Sequence, residues 1–370
     1  MVSASNFDIA RRAEDPLDWL RLIRSRRIGA VTFHRLVDEH GSVAAALSAL
    51  PGIAQAAGID NYAACPVEVA RHELTQGRTA KAVLLLWGTA DYPAALMDLP
   101  DAPPVLWAQG NLALLQRPMV ALVGARNASS LGLRMARRLS DALGAAGQVV
   151  VSGLARGIDA EAHQAALATG TVAVQAGGVD VIYPLENAEL AAAIAEQGCR
   201  VSEQPMGMAP QTRHFPQRNR IIAGLSRAVV VVEAATRSGS LITARTALDQ
   251  GRDVLAVPGH PFDARAAGCN LLIRDGAVLV RSAADVLEAI GTVSATPDHV
   301  PMPSPPSRPL SDIAGIHSQI LARLGPSPLA EDQLIRDLAM PPSVFAPALM
   351  TLELDGRIQR QAGGLLSRLD

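Results

Sequence analysis

Phe215 stands in the segment HFPQRNR, held by Pro216 and flanked by Arg213, Arg218, Asn219 and Arg220. An aromatic face stacks on an unpaired base for roughly 1–3 kcal/mol per base, and arginines beside it can follow a phosphate backbone. This combination therefore fits a single strand of nucleic acid. The competing reading is that Phe215 packs in the core and the arginines cover a helix surface. The neighbourhood favours binding. From Gln204 to Val232 there is no acidic residue, while the stretch carries Arg213, His214, Arg218, Arg220 and Arg227. The island is local, because the 370-residue chain has a net charge of only −2.

Four glycine-containing loops offer a second kind of chemistry: VGARNASSLG with Gly124 and Arg126, SGLARGIDAEAH with Gly153, Arg156 and Gly157, AGGVDVIYPLEN, and EAATRSGSLITA with Ser238, Gly239 and Ser240. Glycine lets backbone approach a ligand closely, and the free amides of a helix start attract phosphate. For any one loop a tight strand-to-helix turn explains the glycine equally well. None has the glycine spacing of a dinucleotide fingerprint, and Lys81 is the chain's single lysine, so no Walker A loop exists. No nucleotide cofactor is expected. Asp159, His163, Glu203 and Glu233 are candidate acids or bases, but there is no nucleophile paired with a base and no clustered metal-ligand set. Asp159 and His163, four apart on one helix face, are as well placed to pair or cap. Binding without catalysis is the expectation.

These loops need a scaffold. From about Met119 the chain runs through MVALVG, QVVVSG, TVAVQAGG, CRVSEQ, AVVVVEA, DVLAVPG and AVLV, alternating with amphipathic stretches such as LGLRMARRLSDALGAAG and LITARTALDQG. Runs apolar on both faces, separated by helices, predict a Rossmann-like, doubly wound, mostly parallel sheet. Ligands of such sheets bind outside the carboxyl ends of the strands, where these loops fall. AVVVVEA is read as a central strand, with HFPQRNR as a lip upstream of its helix.

Residues 1–90 read as a small helical, helix-hairpin-helix-like domain around Gly29 and Gly41, with a plain helical bundle as the alternative. The extended Rossmann-like domain is placed at 91–290. Six prolines in GTVSATPDHVPMPSPPSRPLSD mark a linker at 291–308, and 309–370 read as a winged helix. Its third helix, SVFAPALMTLEL, has no Arg or Lys, so a protein-interaction or regulatory role is expected over reading duplex DNA. Cys65, Cys199 and Cys269 lack metal or disulfide spacing and read as buried thiols. The opening residues lack a signal-peptide pattern and no apolar run reaches the ~20 residues of a membrane span, which places the chain in the cytoplasm.

The motifs VALVGARNASSLG, VVSGLARGIDAEAHQAAL, GGVDVIYPLEN, SEQPMG, FPQRNRIIAGLSRAVVVVEA, SGSLITARTALDQGRDVLAVPG and GCNLLIRDGA, in this order over residues 91–281, resemble those of the DNA-processing protein A (DprA/Smf) family. The resemblance implies a cytoplasmic protein of natural transformation that binds and shields incoming single-stranded DNA and loads the RecA recombinase. It further implies a homodimer formed through the Rossmann-like domain, with an overlapping RecA surface. Carried over motif by motif, DNA contact falls to Arg126 beside Gly124, the loop of Gly153, Arg156 and Gly157, then Phe215, Arg218, Asn219 and Arg220, and Ser238, Gly239 and Ser240, with Arg213 as an added basic residue. The chain departs from the family at Ala125, where many members have Ser or Thr, and at Leu185, where some have Lys. The alternative is a nucleotide-processing enzyme similar to phosphoribohydrolases. Those need a Glu just past the glycine loop, where this chain has Ala244 and Arg245.

Overall fold

Strands apolar on both faces must be covered on both sides, and the chain meets this need with one large sheet. The computed structural model describes residues 15–291, 310–324, 329–338, 340–361 and 365–368. Two strands, β1 (Val83–Leu86) and β2 (Val105–Gly110), precede the seven expected ones: β3 (Met119–Gly124), β4 (Val149–Ser152), β5 (Thr171–Val174), β6 (Cys199–Ser202), β7 (Ala228–Glu233), β8 (Asp253–Ala256) and β9 (Val278–Leu279). The sheet order is β1-β2-β6-β5-β4-β3-β7-β8-β9. Neighbours from β6 through to β9 are parallel, and β2 runs antiparallel to both β6 and β1. The helical reading of the first ninety residues therefore needs correction at Val83. The run VLLL is too short for a helix and finds strand partners in β2.

Helices α1 (Pro16–Ile23), α2 (Ala30–His40), α3 (Val43–Ala56) and α4 (Val67–Thr79) come first. Gly41 closes α2 with φ +80, a left-handed turn whose amide returns to Val37 O. Trp19, Leu20, Phe33 and Leu47 of this group share one core with Leu86, Val105 and Trp107 of the sheet. The helical segment is thus fastened to the antiparallel end of the sheet. The short α5 (Ala94–Met97) follows. Then α6 (Ser130–Ala145), α7 (Ile158–Ala166), α8 (Ala188–Gln197), α9 (His214–Leu225), α10 (Ser240–Asp249), α11 (Ala267–Arg274) and α12 (Ala283–Ala289) alternate with strands β3 to β9. One face of the sheet packs Val151, Val174, Ile221 and Val231 into a core; the other packs Leu122, Leu139, Ile158 and Val230. The three cysteines are buried and free.

A second compact unit follows, described from Leu310 on. It contains α13 (Leu310–Arg323), β10 (Leu329–Ala330), α14 (Glu331–Leu338), α15 (Pro342–Leu354), β11 (Ile358–Gln361) and β12 (Leu365–Arg368), with strand order β10-β12-β11. Ile320, Leu334, Phe345, Leu352, Ile358 and Leu366 close its core, giving the expected winged helix. The proline-rich linker lies, from residue 292 on, outside the described residues. Among the described residues no helix is long and apolar enough to cross a membrane.

Candidate nucleic-acid interface

Strand order reverses between β3 and β7, so the loops leaving them part in opposite directions and open a crevice at their carboxyl ends. Backbone bonds stitch the crevice walls together. Ala125 N–H donates to Glu233 O (2.7 Å), and Ile158 N–H donates to Ala125 O (3.2 Å). Gly157, at φ +75, lies so close that a Cβ there would sit 2.3 Å from Ala125 O. A bulkier residue would push the second loop off the first.

The loop after β4 is held from beneath by the two candidate acid-base residues. Asp159 accepts the amides of Gly153 (3.2 Å) and Ala155 (3.4 Å), while His163 Nε2 accepts from Leu154 N–H (3.3 Å) and its Nδ1 meets Thr171 Oγ1 (2.7 Å). Leu154 is thereby fixed at φ +56, a left-handed conformation unusual outside glycine. Burial raises the Asp159 carboxyl above its usual range, opposed by Arg218 and the two amides. Burial, reinforced by Arg218, drives His163 down to about 3, so its ring stays neutral at ordinary pH. These two side chains shape the loop; they bond it separately and not each other. Glu233 has a similar task, since its carboxylate accepts from Ser129 N–H (2.9 Å) and Ser129 Oγ at the cap of α6.

HFPQRNR forms the first two turns of α9 instead of a lip upstream of it. Its helical phase decides which side chains reach the crevice. Phe215, Arg218, Asn219 and Ile222, spaced three and four apart, share one face and line a groove of about 680 Å³. Also on its walls are Gly124, Ala125, Arg126 and Asn127, then Arg237, Ser238, Gly239 and Ser240, and finally Arg265. A second cavity of about 290 Å³ adjoins it across Phe215 and takes in Gly153, Arg156, Tyr183 and Pro184. The half-buried Phe215 ring separates the two. The Arg126 guanidinium lies 5.3 Å from its centroid, and the half-exposed Tyr183 ring stands 5.8 Å away at 55°.

Arg218 forms the floor. It is buried and donates to the carbonyls of Gly153 and, at 2.7 Å, Val174; burial lowers it to about 10, with Asp159 opposing. Only glycine at 153 leaves room, because a Cβ there would lie 1.8 Å from the Arg218 guanidinium. Arg220 does not join this groove. Two residues further on, it points to the opposite side of α9, where it pairs with Glu203 and donates to Asp101 O (2.5 Å). Arg213 is exposed, reaches back to His214 Nε2 (3.4 Å) and lines neither cavity. Arg227, at the start of β7, is tied to Ile290 O at the far end of the sheet.

Tyr183 in the adjoining cavity, and Arg237 and Arg265 in the groove, are polar or aromatic lining residues not singled out from sequence. Tyr183 and Arg237 sit inside loops recognised for their glycines, but their own side chains drew no attention. Arg265 comes from the loop after β8, which carried no signal. Ser238 and Ser240 join hydroxyls (2.7 Å) at the start of α10, and open space faces Gly239. Beyond them Ala244 is buried in the core and Arg245 is exposed, so neither position offers the carboxylate that the phosphoribohydrolase alternative calls for there. Leu185 is fully turned out at 79% exposure, so no basic group stands at that rim position. No group of metal-ligating side chains occurs among the described residues.

The Rossmann-like sheet thus presents, at its switch point, a groove lined by an aromatic ring and arginines. Comparison with known proteins narrows this. The family model described as DNA recombination-mediator protein A matches residues 83–291, a DprA-like N-terminal HHH domain matches 13–75, and a DprA winged helix domain matches 303–364. Protein Smf of Escherichia coli is 40% identical over 276 residues, 74% of either chain. The X-ray structure of DNA processing protein A from Streptococcus pneumoniae aligns at TM-score 0.59 and 35% identity, covering 78% of this chain and 98% of that one. A structure describing the single-stranded DNA binding mode of DNA processing protein A from Helicobacter pylori aligns at TM-score 0.53 and 28% identity, over 57% of this chain and 95% of that one. The chain belongs to the DNA recombination-mediator protein A (DprA/Smf) family.

Proposed function

We propose that the groove holds single-stranded DNA and that the protein acts as a recombination mediator without catalysing a reaction. The observation that carries this reading is the placement of Phe215: its ring stands between two cavities, under the Arg126 guanidinium and beside Tyr183, and not in the core. Bases stack on Phe215 and Tyr183. Phosphates meet Arg126, Arg156 and Arg237, together with the amides of the Gly124, Gly157 and Gly239 loops. Asn219 adds a donor within the groove, and Arg218 supplies charge from below while holding the loop of Gly153. The relative from Helicobacter pylori, whose structure concerns single-stranded DNA, supports the same ligand.

The family resemblance extends this to the protection of incoming DNA in natural transformation and to loading of RecA, in the cytoplasm. A homodimer through the Rossmann-like domain fits the exposed apolar side chains Leu248 of α10 and Val278 and Leu279 of the edge strand β9. The winged helix is assigned to protein contacts, since α15 carries no base-reading cation. The mediator role is tested by the rate at which RecA forms filaments on single strands already coated by a single-strand binding protein. Acceleration that depends on Phe215 is expected. An unchanged rate, with DNA binding intact, would remove the RecA step and leave a plain binder.

A further inference from the structure

Among the exposed large apolar side chains described, Phe262 is the most exposed, at 94%. It belongs to the loop between β8 and α11, and that loop is well built. Gly259 N–H donates to Asn270 Oδ1 (3.1 Å), and Asn270 Nδ2 returns a bond to Gly259 O (3.0 Å). Asp263 N–H donates to His260 O, and Ala266 N–H to Asp263 O, both at 2.9 Å. Packing excludes slack here, since a Cβ on Gly259 would lie 2.3 Å from the Ala266 Cβ. On this frame Phe262 N–H reaches His260 Nδ1 (3.3 Å), and the two rings stand 5.5 Å apart at 41°.

A fully hydrated phenyl ring contributes no burial to the fold. Its neighbours on the loop are His260, Pro261, Asp263 and Arg265, a polar setting unlike the exposed apolar side chains Ile242, Leu248, Val278 and Leu279. Arg265 connects the loop to the groove of Phe215, because it lines that groove while its backbone and Nε bond Asp263 Oδ1 (3.0 and 3.2 Å). A ring offered beside a basic groove that already holds a stacking ring suits another base of the same strand.

We infer that the single-stranded DNA track continues past Ser238–Ser240 over the loop after β8, where a further base stacks on Phe262 beside His260 and Arg265. The inference rests on the reading of the Phe215 groove as a single-strand site. It makes Phe262 matter only for strands long enough to reach it.

The test uses the full chain and oligothymidylates of graded length, from about 4 to about 16 nucleotides. In the wild type, affinity rises with length and then levels. Phe262→Ala is expected to bind the shortest oligonucleotides that register as the wild type does, to lose about tenfold on the longest, and to level at a shorter length. Phe262→Trp restores the wild-type plateau. Equal affinity of Phe262→Ala and wild type at every length overturns the extension and leaves the groove reading in place. A drop in sedimenting mass for Phe262→Ala, with the length profile unchanged, overturns it in favour of a contact between copies. Failure of the wild type to bind any length sinks the groove reading itself.

Discussion

Arg218 and Arg220 lie two residues apart on α9 and open onto different worlds. On the Arg218 side, Arg126, Arg237 and Arg265 ring a groove of about 680 Å³ in which Asp159 is the acidic lining residue. On the Arg220 side, a cavity of about 390 Å³ also has two arginines, Arg24 and Arg220, but Asp101 and Glu203 stand in the same wall. Arg220 is paired with Glu203, and Arg24 is held by Glu73 at 2.9 Å. Arg265 is paired with Asp263 on the groove side too, but Arg126 and Arg237 face only Asp159 among the lining carboxylates, so the groove keeps more of its positive field than the Arg220 side does. A count of arginines along a segment therefore says little about binding until the strand ends that deliver the acids are known.

Removing each arginine tests this contrast. Arg218→Ala has the largest expected effect: two backbone carbonyls lose their buried donor and Asp159 loses its nearby cation, for about 3 kcal/mol in urea denaturation, together with lost affinity for single strands. Arg220→Ala leaves the half-buried Glu203 carboxylate without its ion-pair partner. Roughly 2 kcal/mol of stability is expected to go, with DNA affinity within about twofold of wild type. If Arg220→Ala bound DNA as poorly as a groove variant, the two faces would not be distinct.

Phe215→Ala reverses that pattern, costing roughly 1–3 kcal/mol of single-strand affinity while lowering stability by about 1 kcal/mol or less, because the half-buried ring borders space on both sides. A pH-dependent effect, small near neutrality, comes from His163. Its ordinary value of 6.5 falls to about 3 in the folded chain, so the unfolded chain binds more protons between those values. That contribution to stability is complete above pH 6.5 and declines as pH falls toward 3, with a limiting slope of roughly 1.4 kcal/mol per pH unit. Buried Asp159, with its raised carboxyl, pulls the other way in acid. The clean readout is the difference in acid slope between wild type and His163→Gln, which is expected to lack the histidine component. Glu186→Gln is the mildest change. Its pair with Arg156 is mostly solvent-exposed on both sides, so stability should hold within about 0.5 kcal/mol while freed Arg156 tightens DNA binding slightly.

Much of this architecture is legible in the sequence because it follows from local pattern. AVVVVEA and most of its companions hold a short continuous apolar stretch, and such stretches become parallel strands where helices alternate with them; CRVSEQ does so despite Arg200, and AVLV ends at the sheet edge. The strand β1 was missed because VLLL has no turn signal before it and gains its identity only by pairing with β2. The meeting of Phe215 with the glycine loops at one edge was legible, since alternating strands and helices send these loops to the carboxyl ends of the sheet. Arg220 was not. Its partner Glu203 lies just beyond another strand, and nothing in HFPQRNR shows on which side of α9 that strand end will fall. Tyr183 joins Phe215 only through the fold, and Arg265 enters the groove only because β8 lies next to β7. Contacts between loops of different strands are the part that local pattern leaves undetermined.

The central claim is that the Phe215 face of α9, and not the Arg220 face, holds single-stranded DNA. Filter binding of a labelled oligothymidylate in a salt series, with wild type, Phe215→Ala and Arg220→Ala side by side, tests it most directly. The account expects wild-type affinity to fall linearly in log–log form with salt, Phe215→Ala to run about tenfold or more below it, and Arg220→Ala to follow the wild type. No wild-type binding at low salt, or equal losses in the two variants, would contradict it.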